Sequence, residues 1–390
     1  MIYMGVDIAK LKHCTIAVDE KGHELCKAFP FENTEDGFNS FFAIVSDFMS
    51  TDSVCIAMEA TGHYWLNLYT FLFDKGVATH VFNPIQTDAI RRMNIRKTKT
   101  DSVDCKYIAD VVRIGNYSDV RPQASDIQQM RQLCRFRYGL VDSAASVKNQ
   151  IIGILDRIFP EYKSLFSNVF GVTSMALLEK YTTPEDILKV PTKRLADFLA
   201  KYSRGAFGED KALEIKETCK HSVGIHSGTP ALVLSLRLMI EQVEFAENQI
   251  TVVEQEIESL YEKCNCFLHT IIGVGPISAA VILSEIGNIE NFDNPKKLVA
   301  FAGLDPSVAQ SGNYESSHNK MSKRGSPYLR RAIWNCAVVA AQTNPVFQSF
   351  FLKKRSQGKN YMTAIGAVSH KLCGAIFAVL RDQKPYVPIA

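Results

Sequence analysis

The order of strand and helix signals along the first 114 residues is the feature of this sequence that most constrains its fold. Three short runs of β-favouring residues come first, at 2–8, 13–18 and 24–31, and the turn Asp19–Gly22 separates the last two. Helix and strand signals then alternate, with helices predicted at 37–49, 64–73 and 100–114 and strands at 54–58 and 77–82. This order predicts an α/β domain whose sheet begins with hairpin-linked strands.

The sheet is expected to be of the ribonuclease-H type rather than the doubly wound Rossmann type. A doubly wound sheet alternates strand and helix from its first strand, whereas here three strands precede the first helix. In addition, no glycine-rich phosphate loop follows the strand at 2–8, so a nucleotide-binding function is disfavoured.

Two apolar repeats in the middle of the chain predict two long helices. Apolar residues recur mainly at intervals of three and four from Met130 to Ile158 and again from Leu236 to Leu260. Both repeats are heptad-like, which leaves open a coiled coil within one chain, a coiled coil between chains, or the buried helices of a monomer. We expect three regions: an α/β domain at 1–125, a helical or coiled-coil region at 126–265 with a polar, proline-broken insert at 159–230, and an all-α domain at 266–390.

The composition is that of a globular protein with a sizeable core: 46% of residues are hydrophobic and 22% are charged. No run approaches 18 consecutive apolar residues, and the first residues lack the pattern of a signal peptide, so a cytoplasmic protein without a membrane partner is expected. The ten cysteines are scattered, and the spacing of the one close pair, Cys264 and Cys266, is wrong for a zinc ribbon. They are expected to be buried thiols of a reducing compartment.

The charges are distributed unevenly, although the net charge is only +3. The stretch from Ser316 to Arg381 contains eleven Lys and Arg residues and no Asp or Glu, while the rest of the chain carries 33 basic against 41 acidic residues. Such asymmetry is typical of proteins that bind a polyanion such as nucleic acid, whereas a merely solvated basic face usually has interspersed carboxylates. The candidate nucleic-acid contacts are Arg91, Arg92, Arg96, Lys97, Lys99, Lys320, Lys323, Arg324, Arg330 and Arg331.

Four acidic residues stand where acids are costly or where they share a face. Asp7 lies between apolar residues in the first predicted strand, Glu59 ends another apolar strand, and Asp101 and Asp104 lie three residues apart at the start of a helix. Together they predict oxygen ligands for two Mg²⁺ ions about 3.5–4 Å apart, which would clamp the attacking and leaving oxygens of a phosphodiester. For Asp101 alone, a helix N-cap is the competing interpretation.

A glycine-bounded turn precedes the helix that is predicted to end at Ile286. Gly273 and Gly275 lack side chains, so backbone N–H groups there can approach a phosphate at a partly positive helix N-terminus. The turn therefore resembles part of a helix-hairpin-helix motif, and a plain structural turn is the alternative.

Motifs in both halves of the chain resemble the DEDD insertion-sequence transposases of the family 110 type, which are relatives of the Piv DNA invertases. In the first half these motifs are Gly5–Lys10, Met58–Gly62 and Lys97–Asp104; in the second half they are Gly273–Pro276, Ala302–Ser307, Gln310–Gly312 and Ser322–Arg331. The resemblance covers about residues 1–155 and 266–390 and preserves the order of the motifs.

This resemblance implies a RuvC-like nuclease domain, a coiled coil and a helical C-terminal transposase domain. It also implies a nucleoid-associated DNA recombinase that a structured bridge RNA guides to donor and target DNA. The acidic quartet Asp7, Glu59, Asp101 and Asp104 would act with Mg²⁺ and with a serine nucleophile, joined across the protomers of a dimer or tetramer.

Ser311 is the candidate for that nucleophile. It is followed by Gly312 and precedes the basic stretch 320–331, a cationic setting that favours developing negative charge. Ser307 follows a proline and is better suited to close a turn, Ser316 and Ser317 are weaker alternatives, and Ser311 as an ordinary loop hydroxyl is the remaining interpretation. Two rival classes stay open: a RuvC-like junction endonuclease without a serine step, and a non-catalytic nucleic-acid-binding protein whose acids are structural.

Overall fold

The computed structural model describes residues 1–60, 62–82, 84, 86–88, 100–115, 125–225, 229–306, 310–311, 314–315 and 320–388. The chain divides into two compact units, Met1–Pro122 and Gln123–Ala390.

The first unit is built on a five-stranded mixed sheet, as the strand signals predicted. Its strands are β1 Ile2–Asp7, β2 Lys12–Val18, β3 Phe29–Glu32, β4 Val54–Glu59 and β5 Ala78–Phe82, in the spatial order β3-β2-β1-β4-β5. The pairs β1–β2 and β2–β3 are antiparallel, whereas β1–β4 and β4–β5 are parallel.

The third strand begins later than predicted because the Asp19 side chain holds the preceding turn. Its carboxylate accepts hydrogen bonds from the backbone N–H groups of Lys21 (2.9 Å) and His23 (2.8 Å). Beyond this turn Glu24 makes only an isolated bridge to Val18, and regular pairing starts at Phe29. The polar turn is therefore longer than the apolar pattern alone indicated.

Helices cover both faces of this sheet. One face, with the buried side chains of Met4 and Val6, packs against α1 Glu35–Met49 and α2 Trp65–Asp74. The opposite face, with Cys55 and Ala57, packs against α3 Asp101–Ile114. The alternation of side chains along the strands thus assigns each strand residue to one layer.

Two long helices, α4 Ser125–Ile158 and α10 Thr229–Lys263, form an antiparallel pair within the second unit. Arg137 of α4 pairs with Glu254 of α10 (2.6 Å), and the later residue Lys148 pairs with the earlier residue Glu247 (2.6 Å). The two helices therefore run in opposite directions. The two helices thus pack against each other within the chain, and a coiled coil stays a prediction. The insert between them contains α5 Tyr162–Leu165, α6 Val172–Lys180, α7 Pro184–Lys189, α8 Thr192–Tyr202 and α9 Glu209–Lys220.

In the part of the second unit after Lys263 that the structure describes, the regular elements are helices and one short strand pair. They are 3₁₀ turns at Leu268–Thr270 and Ile289–Asn291, α11 Pro276–Ile286, α12 Pro295–Phe301, β6 Gln310–Ser311, β7 Tyr314–Glu315, α13 Pro327–Thr343, α14 Pro345–Ser356 and α15 Tyr361–Asp382. One apolar core joins these helices to the start of α4 and the end of α10, and a second core joins the insert to their other halves. The functional division of this unit near residue 265 stays a prediction.

One described helix, α15, is long and apolar enough to span a membrane by length and composition alone, although it contains no run of 18 consecutive apolar residues. More than half of its most apolar window is buried inside the protein, and Ile365, Val368 and Leu372 belong to the core of the second unit. Packing against α13 and α14 accounts for its composition. The ten cysteines form no disulfide, and seven are buried, in agreement with their predicted role as core thiols.

Candidate active site

Asp7 and Glu59 end adjacent strands at one edge of the sheet. Because β1 and β4 are parallel and pair Val6 with Met58, the next residues along the two strands are Asp7 and Glu59. Both residues are half-buried. By strand alternation they share the face of Ala57, which is the face that packs against α3.

Helix α3 crosses β1 with their backbones in contact, and this contact brings in the third acid. A Cβ built on Gly5 would lie 1.9 Å from the carbonyl oxygen of Cys105 and 2.6 Å from the backbone nitrogen of Ala109, so only glycine fits. Burial raises the pKa of the Cys105 thiol. Asp104, adjacent to Cys105, is only 8% exposed.

Asp101 is the first residue of α3, and its side chain lies outside the described structure. The N-cap position belongs to Thr100, which has extended backbone angles. The N-cap interpretation of Asp101 is therefore wrong. The reason is that the helix begins at Asp101 itself, one residue earlier than such a cap requires.

The donor set at this edge consists of carboxylates, which are the ligands that hard divalent cations prefer. Asp7, Glu59 and the helix carrying Asp104 meet at one end of the sheet, so the residue types and their placement fit such an ion. Within the described ranges, no three His, Cys, Asp or Glu side chains are grouped closely enough to hold a metal by themselves.

A buried histidine that the sequence analysis did not single out closes the hairpin after Asp7. His13 is fully buried, and its Nδ1 accepts a hydrogen bond from the backbone N–H of Ala9 (3.2 Å). Burial lowers the pKa of His13, which keeps the imidazole neutral and able to accept. A histidine alternating with apolar residues in β2 was the available signal.

Ser311 lies in the hairpin β6–β7, opposite Tyr314, and its side chain is outside the described structure, as are Ser307, Ser316 and Ser317 entirely. Residues on the two sides of this hairpin pair with each other. The backbone N–H of Ser322 donates to the carbonyl of Asp305 (2.8 Å), and Pro306 bridges Met321. The protein thus closes the segment that carries Ser311 at both ends.

The predicted basic contacts fall into three groups. Arg91, Arg92, Arg96, Lys97 and Lys99 lie outside the described residues. Lys320, Lys323 and Arg324 are exposed. Arg330 and Arg331 have partners within the chain. Arg330 donates to the carbonyl of Ala302 (3.2 Å), and Arg331 forms an exposed ion pair with both carboxylate oxygens of Asp142 (2.8 Å each).

The two turn glycines differ in their surroundings. Gly273 has φ +101°, and a Cβ there would lie 2.8 Å from Ala340, so its missing side chain admits α13. A Cβ on Gly275 would meet nothing within 4 Å, and this residue directly precedes α11. Gly273 therefore has a packing role in this turn, and phosphate contact stays a prediction at both glycines.

An ion pair between a buried carboxylate, Glu285, and a partly exposed arginine, Arg135, was also missed. Glu285, 3% exposed, accepts two hydrogen bonds from Arg135 (2.6 and 3.0 Å) and one from the hydroxyl of Ser326 (2.8 Å), which also caps α13. This hydrogen bonding raises the pKa of Arg135. The signal was the one used for Asp7, an acid within an apolar run.

Comparison with known proteins gives matches in both units. A family model described as "Transposase", of the DEDD type, matches residues 4–160, and a model described as "Transposase IS116/IS110/IS902 family" matches residues 266–352. Residues 161–265 lie between these ranges.

Full-length relatives agree with these models. The "Insertion element IS110 uncharacterized 43.6 kDa protein" of Streptomyces coelicolor is 23% identical over 99% of this chain and 95% of its own length. The "Pilin gene-inverting protein" of Moraxella bovis is 22% identical over 98% of this chain and 97% of its own. The "Transposase for insertion sequence element IS1111A" of Coxiella burnetii is 24% identical over 98% and 90%.

The first unit, with its acid-bearing mixed sheet, matches one transposase family, and the helical second unit matches another. The protein is therefore a transposase, an enzyme that recombines DNA. More narrowly, the chain belongs to the IS110/IS116 family of transposases. The DEDD class of its first domain depends on divalent metal.

Proposed function

We propose that this transposase cuts and rejoins DNA with two chemical groups: the quartet Asp7, Glu59, Asp101 and Asp104, and the hydroxyl of Ser311. The observation that carries the proposal is the placement of Asp7 and Glu59 on adjacent strand ends, with α3 pressed onto β1 at Gly5. The strand order β3-β2-β1-β4-β5, with a hairpin-linked antiparallel half and a parallel half, supports a ribonuclease-H or RuvC-like domain.

In this proposal the carboxylates hold Mg²⁺, with two ions per site. When bound, the ions neutralise charge that develops on the phosphodiester oxygens. The chain's own contribution is rigidity, because strand ends and a helix locked at Gly5 keep the carboxylates in place before DNA arrives.

The serine step conserves the phosphodiester linkage. The hydroxyl of Ser311 attacks phosphorus, the bond from phosphorus to one deoxyribose oxygen breaks, and that oxygen takes up the proton that the serine releases. The resulting phosphoserine bond is then attacked by a new deoxyribose hydroxyl, so strands are rejoined without a cofactor. The exposed cations Lys320, Lys323 and Arg324, at the end of the Ser311 loop, support a phosphate-binding role there.

A relative whose name describes gene inversion favours this step over simple hydrolysis. Inverting a DNA segment requires that cut ends be rejoined, as the name of the Moraxella protein indicates for that protein. A junction endonuclease needs no covalent intermediate. We therefore rank a metal-dependent endonuclease second.

The partners in this proposal are donor and target DNA, a structured bridge RNA that pairs with both, and further copies of the chain in a dimer or tetramer. The antiparallel pair α4–α10 would serve as the coiled coil of such an assembly. Basic surfaces at 91–99 and 320–331 would contact the nucleic acid backbones.

Trapping the covalent intermediate tests the proposal. Purified protein is incubated with Mg²⁺, the RNA encoded beside the gene and DNA of the element's ends, and the protein–DNA adduct is mapped by mass spectrometry. We expect an adduct on Ser311 that is absent in Ser311→Ala and absent without metal. An adduct on Ser307, or one that persists in Ser311→Ala, contradicts the assignment; cleavage without any adduct favours the endonuclease.

A further inference from the structure

The insert between the two long helices carries a surface on which rings and cations alternate. Positions separated by four, seven and eight residues share one side of a helix, so one stripe of α8 presents two cations and two rings. The end of α6 adds one of each beside it. The ring–cation surface consists of Lys180, Tyr181, Arg194, Phe198, Lys201 and Tyr202.

The rings are in contact with one another and with ammonium groups. The centroid of Phe198 lies 5.7 Å from that of Tyr181 and 4.8 Å from that of Tyr202. The Nζ atom of Lys180 lies 5.0 Å from the Phe198 centroid and 5.5 Å from the Tyr181 centroid, and that of Lys201 lies 5.5 Å from the Tyr202 centroid.

This surface is more than the edge of a core. Leu195 and Leu199 of α8 are fully buried in the insert core. Tyr181 and Phe198 pack against this core and are partly buried. Tyr202 is 37% exposed, and Arg194 and Lys201 are exposed. Burial of the insert core therefore does not account for Tyr202 or for the cations around it.

The chemistry of the surface fits one kind of ligand. Aromatic faces stack on unpaired bases of any identity, and ammonium or guanidinium groups attract the phosphates between them. The six side chains include no amide, so the surface lacks the bidentate group that reads adenine edges. A duplex, whose bases are already stacked on one another, offers only its phosphates to such a surface.

We propose that the ring–cation surface holds a single DNA strand. Its source rests on the proposed function: when an RNA pairs with one strand of a duplex, the complementary strand loses its partner and needs a site that accepts any sequence. Stacking on Tyr202, with phosphates near Lys201 and Arg194, supplies such a site within the transposase itself.

The test measures binding of a fluorescent oligothymidine strand of about 16 nucleotides to the full-length protein, without Mg²⁺ or RNA, by fluorescence anisotropy. The double variant Lys201→Ala with Tyr202→Ala is expected to bind about tenfold more weakly, as one lost stack and one lost phosphate contact predict. Binding of duplex DNA should change by no more than about twofold. Tyr202→Phe, which keeps the ring, should bind like the parent.

A control removes two positive charges, one more than the Lys201/Tyr202 variant loses, elsewhere on the insert. Lys189→Ala with Lys220→Ala deletes two exposed lysines that pair with Asp186 and Glu217, and it should leave single-strand binding unchanged. The proposal is overturned if this control weakens binding equally, if the Lys201/Tyr202 variant binds like the parent, or if it loses duplex binding to the same extent. If only an oligouridine RNA strand responds to the variant, the ligand is RNA and the assignment to DNA is wrong. Since the assay uses neither metal nor guide, a failure of RNA-guided recombination leaves its outcome intact.

Discussion

Asp7 and Glu285 present the same sequence signal, an acid within an apolar run, and the protein uses them in different ways. Glu285 lies in α11 with two arginine nitrogens and a serine hydroxyl against its oxygens. Asp7 ends a strand beside another carboxylate, Glu59, and below a helix that brings a third. An acid that faces an arginine of its own chain is held by that ion pair, whereas carboxylates placed side by side at the edge of a sheet are the donor set of the proposed metal site.

The largest effect on recombination should come from removing one carboxylate of the acidic quartet. Asp7→Ala, Glu59→Ala, Asp101→Ala and Asp104→Ala are each expected to reduce recombination by about a hundredfold or more, because a metal ligand is lost. The melting temperature should not fall, because fewer like charges then share one edge. A recombination assay on plasmid substrates, with calorimetry on the same samples, measures both.

The control for this series is Asp110→Ala on the same helix. Asp110 pairs with Arg113 (2.7 Å) and lies outside the proposed quartet, so recombination should be nearly normal. Near-normal activity in two of the four quartet variants is the result that refutes the metal assignment.

The opposite response is expected at Glu285. Arg135→Met leaves this carboxylate buried without its main partner and should lower the free energy of unfolding by about 3 kcal/mol. Replacing both residues, Arg135→Met with Glu285→Leu, should recover most of that loss, since neither charge is then buried. Urea denaturation measures the three free energies; equal losses in the single and double variants would show that the pair is not the cause.

A smaller effect is expected where α3 meets β1. Gly5→Ala forces a methyl group into the backbone of Cys105 and should cost about 1–3 kcal/mol, with a loss of recombination because Asp104 moves relative to Asp7. Gly153→Ala is the matched control, because a Cβ there meets nothing within 4 Å and the residue is helical. It should raise stability by about 0.5–1 kcal/mol. If Gly5→Ala lowers stability but recombination is unchanged, the packing of α3 on β1 does not position the catalytic acids, and the expected loss of recombination is wrong.

The smallest effect concerns pH. Since burial lowers the pKa of His13, the unfolded chain takes up a proton near pH 6.5 that the folded chain refuses, and stability should fall as the pH is lowered below that value. His13→Gln keeps an acceptor for the Ala9 N–H and should flatten the decline between about pH 7 and 5. Thermal melts across this range decide the point; identical slopes in both proteins would assign the decline to other groups.

Sequence patterns predicted the local structure of this protein well, because strand alternation and helical periodicity are properties of neighbouring residues. The positions of Asp7 and Glu59 at strand ends follow from such patterns, as does the helix that starts with Asp101. The delayed start of β3 was missed, since the Asp19 side chain rather than apolar content decides it.

Contacts between distant residues could not be predicted in this way. Arg331 was assigned to nucleic acid because it lies in an acid-free stretch, yet its partner Asp142 is 189 positions away in sequence. The partner of Glu285, Arg135, is 150 positions away. A local window contains one member of each pair, so the folded partner cannot be predicted from it, and nucleic-acid contact by Arg331 stays a prediction.

The antiparallel helix pair also sets the distance between the two apolar cores that it connects. The apolar core at one end includes Cys134 and the core of the insert includes Ile154, which are 20 residues apart on the same helix α4. At about 1.5 Å per residue this amounts to roughly 30 Å, or the length of about nine base pairs of duplex. Lengthening both helices by two heptads would extend this spacing by about 21 Å while preserving the side on which each residue lies. The length of the helix pair thereby fixes the distance between the two apolar cores of the second unit.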